Sequence, residues 1–379
     1  MPTLCAKTIY TGREVLHDAI VRMEDSTISA ITSEAGGEVD GSYAVITPAL
    51  IDAHCHIGLV RGGEPEGEAE ANERMSAMLA HADVLDSIQM DDVGFASSIE
   101  SGVLYSCVLP GSGNIIGGNS AIIRNYGADT NSALIARGGI KAAFGYNPMS
   151  TRDWKGTRPY TRMGALAILR EKLHEVRSKM AKERAKADAD VTYSAEETVL
   201  ETLLTGQDRL RVHAHKADDI AALLRFVDDF GLHVTVEHTC DVHEEGIYEA
   251  LKARGIPVIF GPLDSLAYKV ELKHEDWHNI NLLLRSGVEF GLMTDHPVIL
   301  QRQLLLTLRW FLRCGLNKQQ AIEVITRQNA EILGVADRLG TLEPGRWASC
   351  VCWNGDPFSM ESYPVAAYAE GKAVYRSES

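Results

Sequence analysis

The sequence predicts a (β/α)8 barrel of the TIM type with a small β-sandwich domain built from both chain ends. Three observations carry this. The middle of the chain alternates short apolar runs with longer helical stretches, the pattern of a parallel sheet covered by helices. Both ends read as short strands and turns, each too short to bury a core alone, so they are expected to pair with each other. A chain of 379 residues that is 45% hydrophobic suits one large barrel with a satellite. The expected boundaries are 49–339 for the barrel and 1–48 plus 340–379 for the β-domain. A doubly wound open sheet is the alternative, but no Gly-x-Gly-x-x-Gly turn follows a first strand to favour it.

At the amino end, Thr8-Ile9-Tyr10 and residues 19–23 are β-rich, with turn signals at Thr11-Gly12 and Gly36-Gly37. At the carboxyl end, residues 348–353 form a strand-like run before the turn Asn354-Gly355-Asp356-Pro357, and Ala373-Val374-Tyr375 reads as a further strand. Between the ends, strands are expected at 102–109, 140–144, 210–213, 233–238, 256–260 and 290–295. Helices are expected at 163–188, 217–230, 244–254, 303–315 and 318–333. The Lys-, Arg-, Glu- and Ala-rich stretch 170–190 reads as a solvated helical face. The glycine-rich segment 110–119 lacks the Gly-Lys-Ser/Thr ending of a phosphate loop and is expected to be a loop at the barrel mouth.

The net charge is −15, from 37 Lys+Arg against 52 Asp+Glu. That acidity argues against a nucleic-acid or anionic-membrane partner and leaves a small-molecule substrate. No apolar run is long enough to span a bilayer, and the first residues lack the pattern of a secretory signal. Seven dispersed cysteines fit a reducing cytoplasm better than a disulfide framework. Homo-oligomerisation is left open.

The most informative local run is Pro48-Ala49-Leu50-Ile51-Asp52-Ala53-His54-Cys55-His56. On a strand, alternate side chains share a face, so His54 and His56 project together, roughly 6–7 Å apart. Cys55 faces the other way and is expected to be packed. His213, His238 and Asp295 also end predicted strands. Side chains at the carboxyl ends of barrel strands meet at one mouth, so these five residues can converge on one divalent ion. Imidazole and carboxylate donors favour zinc.

These segments together resemble the amidohydrolase superfamily, within its imidazolonepropionase and prolidase-like branch. The resemblance runs from residues 47–58 through Val212-His213-Ala214-His215, Val236-Glu237-His238 and Thr294-Asp295-His296-Pro297 to residues 339–346 and 353–358. It implies His54 and His56 as the first-strand metal pair, His213 as the fifth-strand ligand, His238 on the sixth strand and Asp295 on the eighth. It also implies the β-domain made of both ends. Ile140-Lys141-Ala142-Ala143-Phe144-Gly145 resembles the Ile-Lys-x-x-x-Gly run of prolidase-like members, where a carbamylated lysine bridges two metals. Lys141 is the candidate here, so one or two ions per chain are expected. Two departures stand out. Thr326-Arg327-Gln328-Asn329-Ala330 lies where the family often carries Asn-Pro-Ala after a threonine. Lys216 lies where imidazolonepropionase-like sites carry an acid, which argues against imidazolone itself as substrate.

The expected chemistry is hydrolysis of a C–N bond in a small amide, lactam or amidine-like substrate. Asp295 serves as general base and acid, and His238 helps to stabilise charge on the attacked oxygen. His215, His296, Lys269 and Arg162 are candidate substrate contacts. The rival readings are a prolidase-like metallo-dipeptidase, a deaminase and a non-catalytic barrel protein.

Overall fold

The computed structural model describes residues 2–33, 39–150, 157–185, 191–267 and 269–378. The Gly36-Gly37 turn and residues 186–188 of the expected long helix lie outside them. Strands β1 (Thr3–Tyr10), β2 (Val15–Glu24), β3 (Thr27–Thr32) and β4 (Gly41–Pro48) open the chain. The barrel strands follow: β5 (Leu50–Cys55), β6 (Val103–Val108), β7 (Ile116–Arg124), β8 (Leu134–Ala143), β9 (Leu210–Ala214), β10 (Val234–His238), β11 (Val258–Phe260) and β12 (Phe290–Leu292). The chain closes with β13 (Cys350–Trp353), β14 (Pro364–Ala369) and β15 (Lys372–Arg376).

Both chain ends enter one seven-stranded sheet, ordered β15-β14-β13-β4-β1-β2-β3. The join is the antiparallel pairing of β13 with β4, with Cys352 opposite Ile46, and the Trp353 indole donates to Thr47 Oγ1 at 3.1 Å. Leu4, Ile9, Val21, Ile46, Cys350 and Tyr368 bury one face of this sheet. Neither end has enough apolar area for a core of its own, which is why they share one.

The second sheet has eight strands in the order β12-β11-β10-β9-β8-β7-β6-β5. Strands β5, β6 and β8 to β12 run parallel, and β7 alone runs against its neighbours β6 and β8. The glycine-rich segment therefore divides. Its start, at Gly111 and Ser112, lines the mouth as expected, but from Ile116 onward it is strand. Gly118 has φ +126°, and a Cβ there would lie 2.5 Å from the Ala82 carbonyl, so only glycine fits this close approach.

Helices Arg162–Arg184, Ala195–Leu204, Ala217–Phe230, Glu245–Ala253, Ile280–Ser286 and Leu304–Arg313 cover the barrel. Ala217–Phe230 shows how the sequence does this. Ile220, Leu223, Leu224, Phe226 and Phe230 are buried, and Gly231 ends the helix in the left-handed conformation. Ala195–Leu204 was not among the expected helices. It starts with a Ser194/Glu197 capping box, a signal legible in the sequence.

The barrel is closed by side chains as much as by backbone. Asp295 N donates to His54 O at 3.1 Å, and His56 N to His296 O at 2.9 Å. The buried Asn329 amide donates to Ile51 O and Leu292 O and accepts from Leu292 N. Asp52 accepts from the backbone N–H of His54 and Thr294, the Thr294 hydroxyl and the Gln301 amide. These bonds pin the first barrel strand to the last, and so fix His54 and His56 relative to Asp295.

Candidate metal centre

His54, on β5, is fully buried. Its Nδ1 lies 3.0 Å from Glu237 Oε2 and its Nε2 3.0 Å from Lys141 Nζ. His56, just beyond β5, turns Nδ1 to Leu109 O at 2.8 Å and Nε2 to within 3.1 Å of Asp295 Oδ1. The two rings are 5.3 Å apart. Cys55 faces away into an apolar cluster with Ile57, Phe95 and Val108, as strand alternation requires.

The second half of the cluster comes from β9 and β10. His213 and His215 share a face, with ring centroids 4.8 Å apart. The His238 ring is 4.2 Å from that of His213 and 4.6 Å from that of His215. A regular strand would point His238 away from its neighbour Glu237, yet both residues reach the centre. The backbone resolves this: His238 has φ +82° and Thr239 φ +58°, so the chain twists at the end of β10 and delivers His238 into the mouth. Asp295, with φ +52°, leaves β12 in a similar way. Such conformations are unfavourable for residues with a Cβ and persist where the surroundings enforce them.

Ligand atoms of His213, His215 and His238 lie within 4.8 Å of one another, and so do those of His54, His238 and Asp295. His213 Nδ1, His215 Nδ1 and His238 Nε2 are buried with no hydrogen-bond partner, and Asp295 Oδ1 meets the His56 ring at 3.1 Å. The other nitrogens of His213 and His238 are held: His213 Nε2 by Glu271 Oε1 at 3.1 Å, and His238 Nδ1 by Gly261 O at 2.9 Å. Each ring is thus oriented from behind and keeps one nitrogen directed inward.

Burial, together with the Lys141 charge, pushes His54 down to about 3. Burial, with Glu271 opposing it, takes His215 to about 3 as well. Burial and neighbouring positive groups carry His213 and His238 well below the ordinary imidazole range. Burial raises the Asp295 carboxyl, but the contact and charge of His56, with the charges of His54 and Lys141, outweigh it and hold the group ionised. Burial lowers Lys141 to about 8 against the pull of Asp295 and Glu237. His54, His213, His215 and His238 are therefore neutral and Asp295 is ionised, the protonation states that bind metal.

Sequence reading did not single out Glu237, Arg211, Glu271 or Asp52. Glu237 is fully buried beneath His54. Arg211 donates to both of its oxygens, at 3.0 and 3.3 Å, and Thr235 Oγ1 donates at 2.5 Å. The signal was present: Arg211 and Glu237 are charges of opposite sign inside two apolar strands. Glu271 lies outside any expected element and carries no sequence signal.

Of the expected substrate contacts, His215 is in the cluster. Lys269 lines a cavity of about 660 Å³ with His56, Asp295, Arg74, Ser112 and Val298. Asn147 donates to Glu271 Oε1 at 3.1 Å and accepts from Lys269 Nζ at 3.3 Å. His296 is buried behind the mouth, its Nδ1 accepting from Gln301 N. Arg162 is set apart, its guanidinium paired with Asp219 at 2.8 Å. Lys216 precedes helix Ala217–Phe230 and pairs with Asp241. No described helix is long and apolar enough to cross a membrane.

Known proteins share this fold. The profile of the amidohydrolase family matches residues 45–375. The crystal structure of an amidohydrolase from Thermotoga maritima superposes with a TM-score of 0.93 at 28% identity, over 100% of both chains. A prolidase crystallised with N-methylphosphonate-L-proline superposes with a TM-score of 0.65 at 15% identity, over 99% of this chain and 100% of its own; that likeness is one of fold. The amidohydrolase tasK of Hapsidospora irregularis is 24% identical over 359 residues, which take in 87% of this chain and 36% of the relative, so the chain spans about a third of that protein's length. With barrel, end-sheet and family profile in agreement, this chain belongs to the amidohydrolase family.

Proposed function

We propose that the protein is a metal-dependent hydrolase that cleaves a C–N bond in a small amide, lactam or amidine-like substrate. One observation carries the reading: three buried imidazole nitrogens without partners, on His213, His215 and His238, stand in two overlapping groups of ligand atoms, His213/His215/His238 and His54/His238/Asp295. A buried polar atom left unpaired costs about 1–3 kcal/mol, and three together are explained by a cation. Nitrogen and carboxylate donors suit zinc. His54, His56, His213, His238 and Asp295 would hold it. When bound, such an ion acidifies water and polarises a carbonyl.

The chain's own residues supply the remaining chemistry. Asp295, ionised and steadied by His56 at Oδ1, accepts the proton of the attacking water and passes it to the leaving nitrogen. His238 Nδ1–H donates a hydrogen bond to Gly261 O, which leaves a lone pair on Nε2; this favours a ligand role over donation to the attacked oxygen. Lys269 and Arg74 put positive charge on the cavity wall, which favours a substrate with a carboxylate, and a dipeptide of the prolidase kind meets that description.

Lys141 supports a second ion. It is 1% exposed, and its charge acts on His54, His213 and His238 alike. An amine lowered to about 8 has a neutral fraction at cellular pH that can add to carbon dioxide, losing one proton to solvent; the resulting carbamate would be an anionic ligand for two ions.

Turnover of cyclic amides, dipeptides and ammonia-releasing amines separates the substrate classes. Asp295→Asn is expected to lower kcat by roughly 10²-fold or more, and Lys141→Ala to lower the metal content of the centre. Full activity of Asp295→Asn would remove the mechanism. An unchanged metal count in Lys141→Ala would remove the bridge and leave one ion.

A further inference from the structure

Beside the catalytic chamber, two loops of the mouth bring a separate set of donors together. Asp241 and His243 lie on the loop after β10, and His274 on the loop between β11 and β12. One ligand atom from each lies within 4.8 Å of the others. We propose that Asp241, His243 and His274 bind a divalent ion of the zinc type, which ties these two loops to each other.

The spacing fits such an ion. Asp241 Oδ2 and His274 Nδ1 are 3.4 Å apart. Two donors about 2.0–2.1 Å from a tetrahedral zinc stand about 3.4 Å from each other. The ring of His243 is also oriented for ligation. Its Nδ1 lies 2.8 Å from Asp241 O, and donation to that carbonyl leaves the Nε2 lone pair free. The His243 and His274 ring centroids are 4.1 Å apart.

Charge argues the same way. The Asp241 side chain is 1% exposed, and its ion pairs are with His274 and with Lys216 at 3.4 Å. Glu275 is close enough to feel the negative charges of Asp241 and Asp264, and its Oε2 is buried with no partner. Asp264 is answered by Arg309 and the Trp310 indole. Asp241 is thus met by one lysine and the His274 ring, and the flexible stem of Lys216 allows it to swing out when a divalent ion enters.

The place of the site gives it a role. The His274 loop also carries Lys269, on the cavity wall, and Glu271, which holds His213 from behind. A clip between the loops fixes both. The ion is one additional to any at the catalytic centre, and the inference stands whether or not that centre binds metal.

The test is a metal count. Full-length protein is stripped with a chelator, dialysed against micromolar Zn²⁺ and analysed by plasma mass spectrometry, for wild type, His243→Ala/His274→Ala and His54→Ala/His56→Ala. The first double variant is expected to hold one ion fewer per chain than wild type. The second is expected to keep that ion and lose catalytic-centre metal. Equal counts in wild type and His243→Ala/His274→Ala overturn the site. Equal counts in wild type and His54→Ala/His56→Ala speak instead against the catalytic metal, which keeps the two failures apart. Zinc-edge anomalous diffraction from wild-type crystals needs no variant: a peak among Asp241, His243 and His274 is expected, and its absence at a loaded catalytic centre rejects the proposal.

Discussion

The two sides of the histidine cluster are built differently. On the β5 side every imidazole nitrogen has a neighbour: His54 touches Glu237 and Lys141, and His56 touches Leu109 O and Asp295. On the β9 and β10 side, His213, His215 and His238 each keep a buried nitrogen with no partner. On the first side hydrogen bonding is finished, with Nε2 of both rings turned to Lys141 and Asp295 of the proposed centre. On the second it is left open. Burial alone does not separate the two sides, since His54 is as dry as His213 and His238. What distinguishes them is whether hydrogen bonding is satisfied.

The largest effect expected from this contrast is on the finished side. Glu237→Ala strands the Arg211 guanidinium, 2% exposed, with only the Ala53 and Gly138 carbonyls and the Cys107 sulfur left to meet it. Breaking one partner of a buried ion pair costs about 3–5 kcal/mol. His215→Ala on the open side strands no charge and leaves a cavity, at about 2 kcal/mol. Urea unfolding of the chelated proteins measures both. If His215→Ala proved as costly as Glu237→Ala, the open side would be structural and the contrast would fail.

A smaller effect should appear in pH dependence. His54 and His215 are depressed to about 3 and His296 to about 4, each chiefly by burial. The folded state keeps them neutral while the unfolded chain protonates them near 6.5. Their contribution is therefore complete above 6.5 and is lost as pH falls toward 3–4. Asp52 acts in the opposite direction: burial raises it to about 6 against its hydrogen bonds, so its contribution is complete below about 4 and fades as pH rises through 6. His213 and His238, also carried well below 6.5, add to these, and Glu275, raised to about 7, acts with Asp52; five protons gained on unfolding less two released leave about three near pH 5, a slope of roughly 4 kcal/mol per pH unit. Stability of the chelated protein should fall with that slope between pH 6 and 4.5, and His215→Ala should lose about a third of it. A flat profile would mean that the imidazoles are already protonated in the fold.

What the sequence made legible follows from periodicity and strand ends. His54, His56, His213, His238 and Asp295 were found because each ends an apolar run, and a barrel collects such ends at one mouth. The antiparallel β7 was missed because Gly117 and Gly118 read as loop, when Gly118 is there to let the Ala82 backbone approach. Asn329 was noticed only as a departure from the family's usual residues. Its work, bonding Ile51 and Leu292 across the barrel seam, depends on Gly291, where a Cβ would lie 2.0 Å from its oxygen. Glu271 was invisible because a loop residue reaches His213 by tertiary packing alone. Strand alternation likewise gave no warning that His238 would turn with a positive φ.

The smallest effects separate two cations that the sequence ranked equally as substrate anchors. Lys269 stands on the cavity wall with Asp295. Arg162 is 43% exposed at its side chain and engaged with Asp219, Nε to Oδ1 at 2.8 Å and Nη2 to Oδ2 at 3.4 Å. A charge-assisted hydrogen bond to a substrate carboxylate is worth about 1.5–3 kcal/mol, so Lys269→Ala should raise KM by roughly 10–100-fold for carboxylate-bearing substrates and leave it little changed for their methyl esters. Arg162→Ala breaks a half-exposed pair worth about 1 kcal/mol or less. It should lower stability slightly and move KM by no more than about two-fold for acid and ester alike. A large KM effect of Arg162→Ala on acids only would bring Arg162 into the chamber and make it the anchor in place of Lys269.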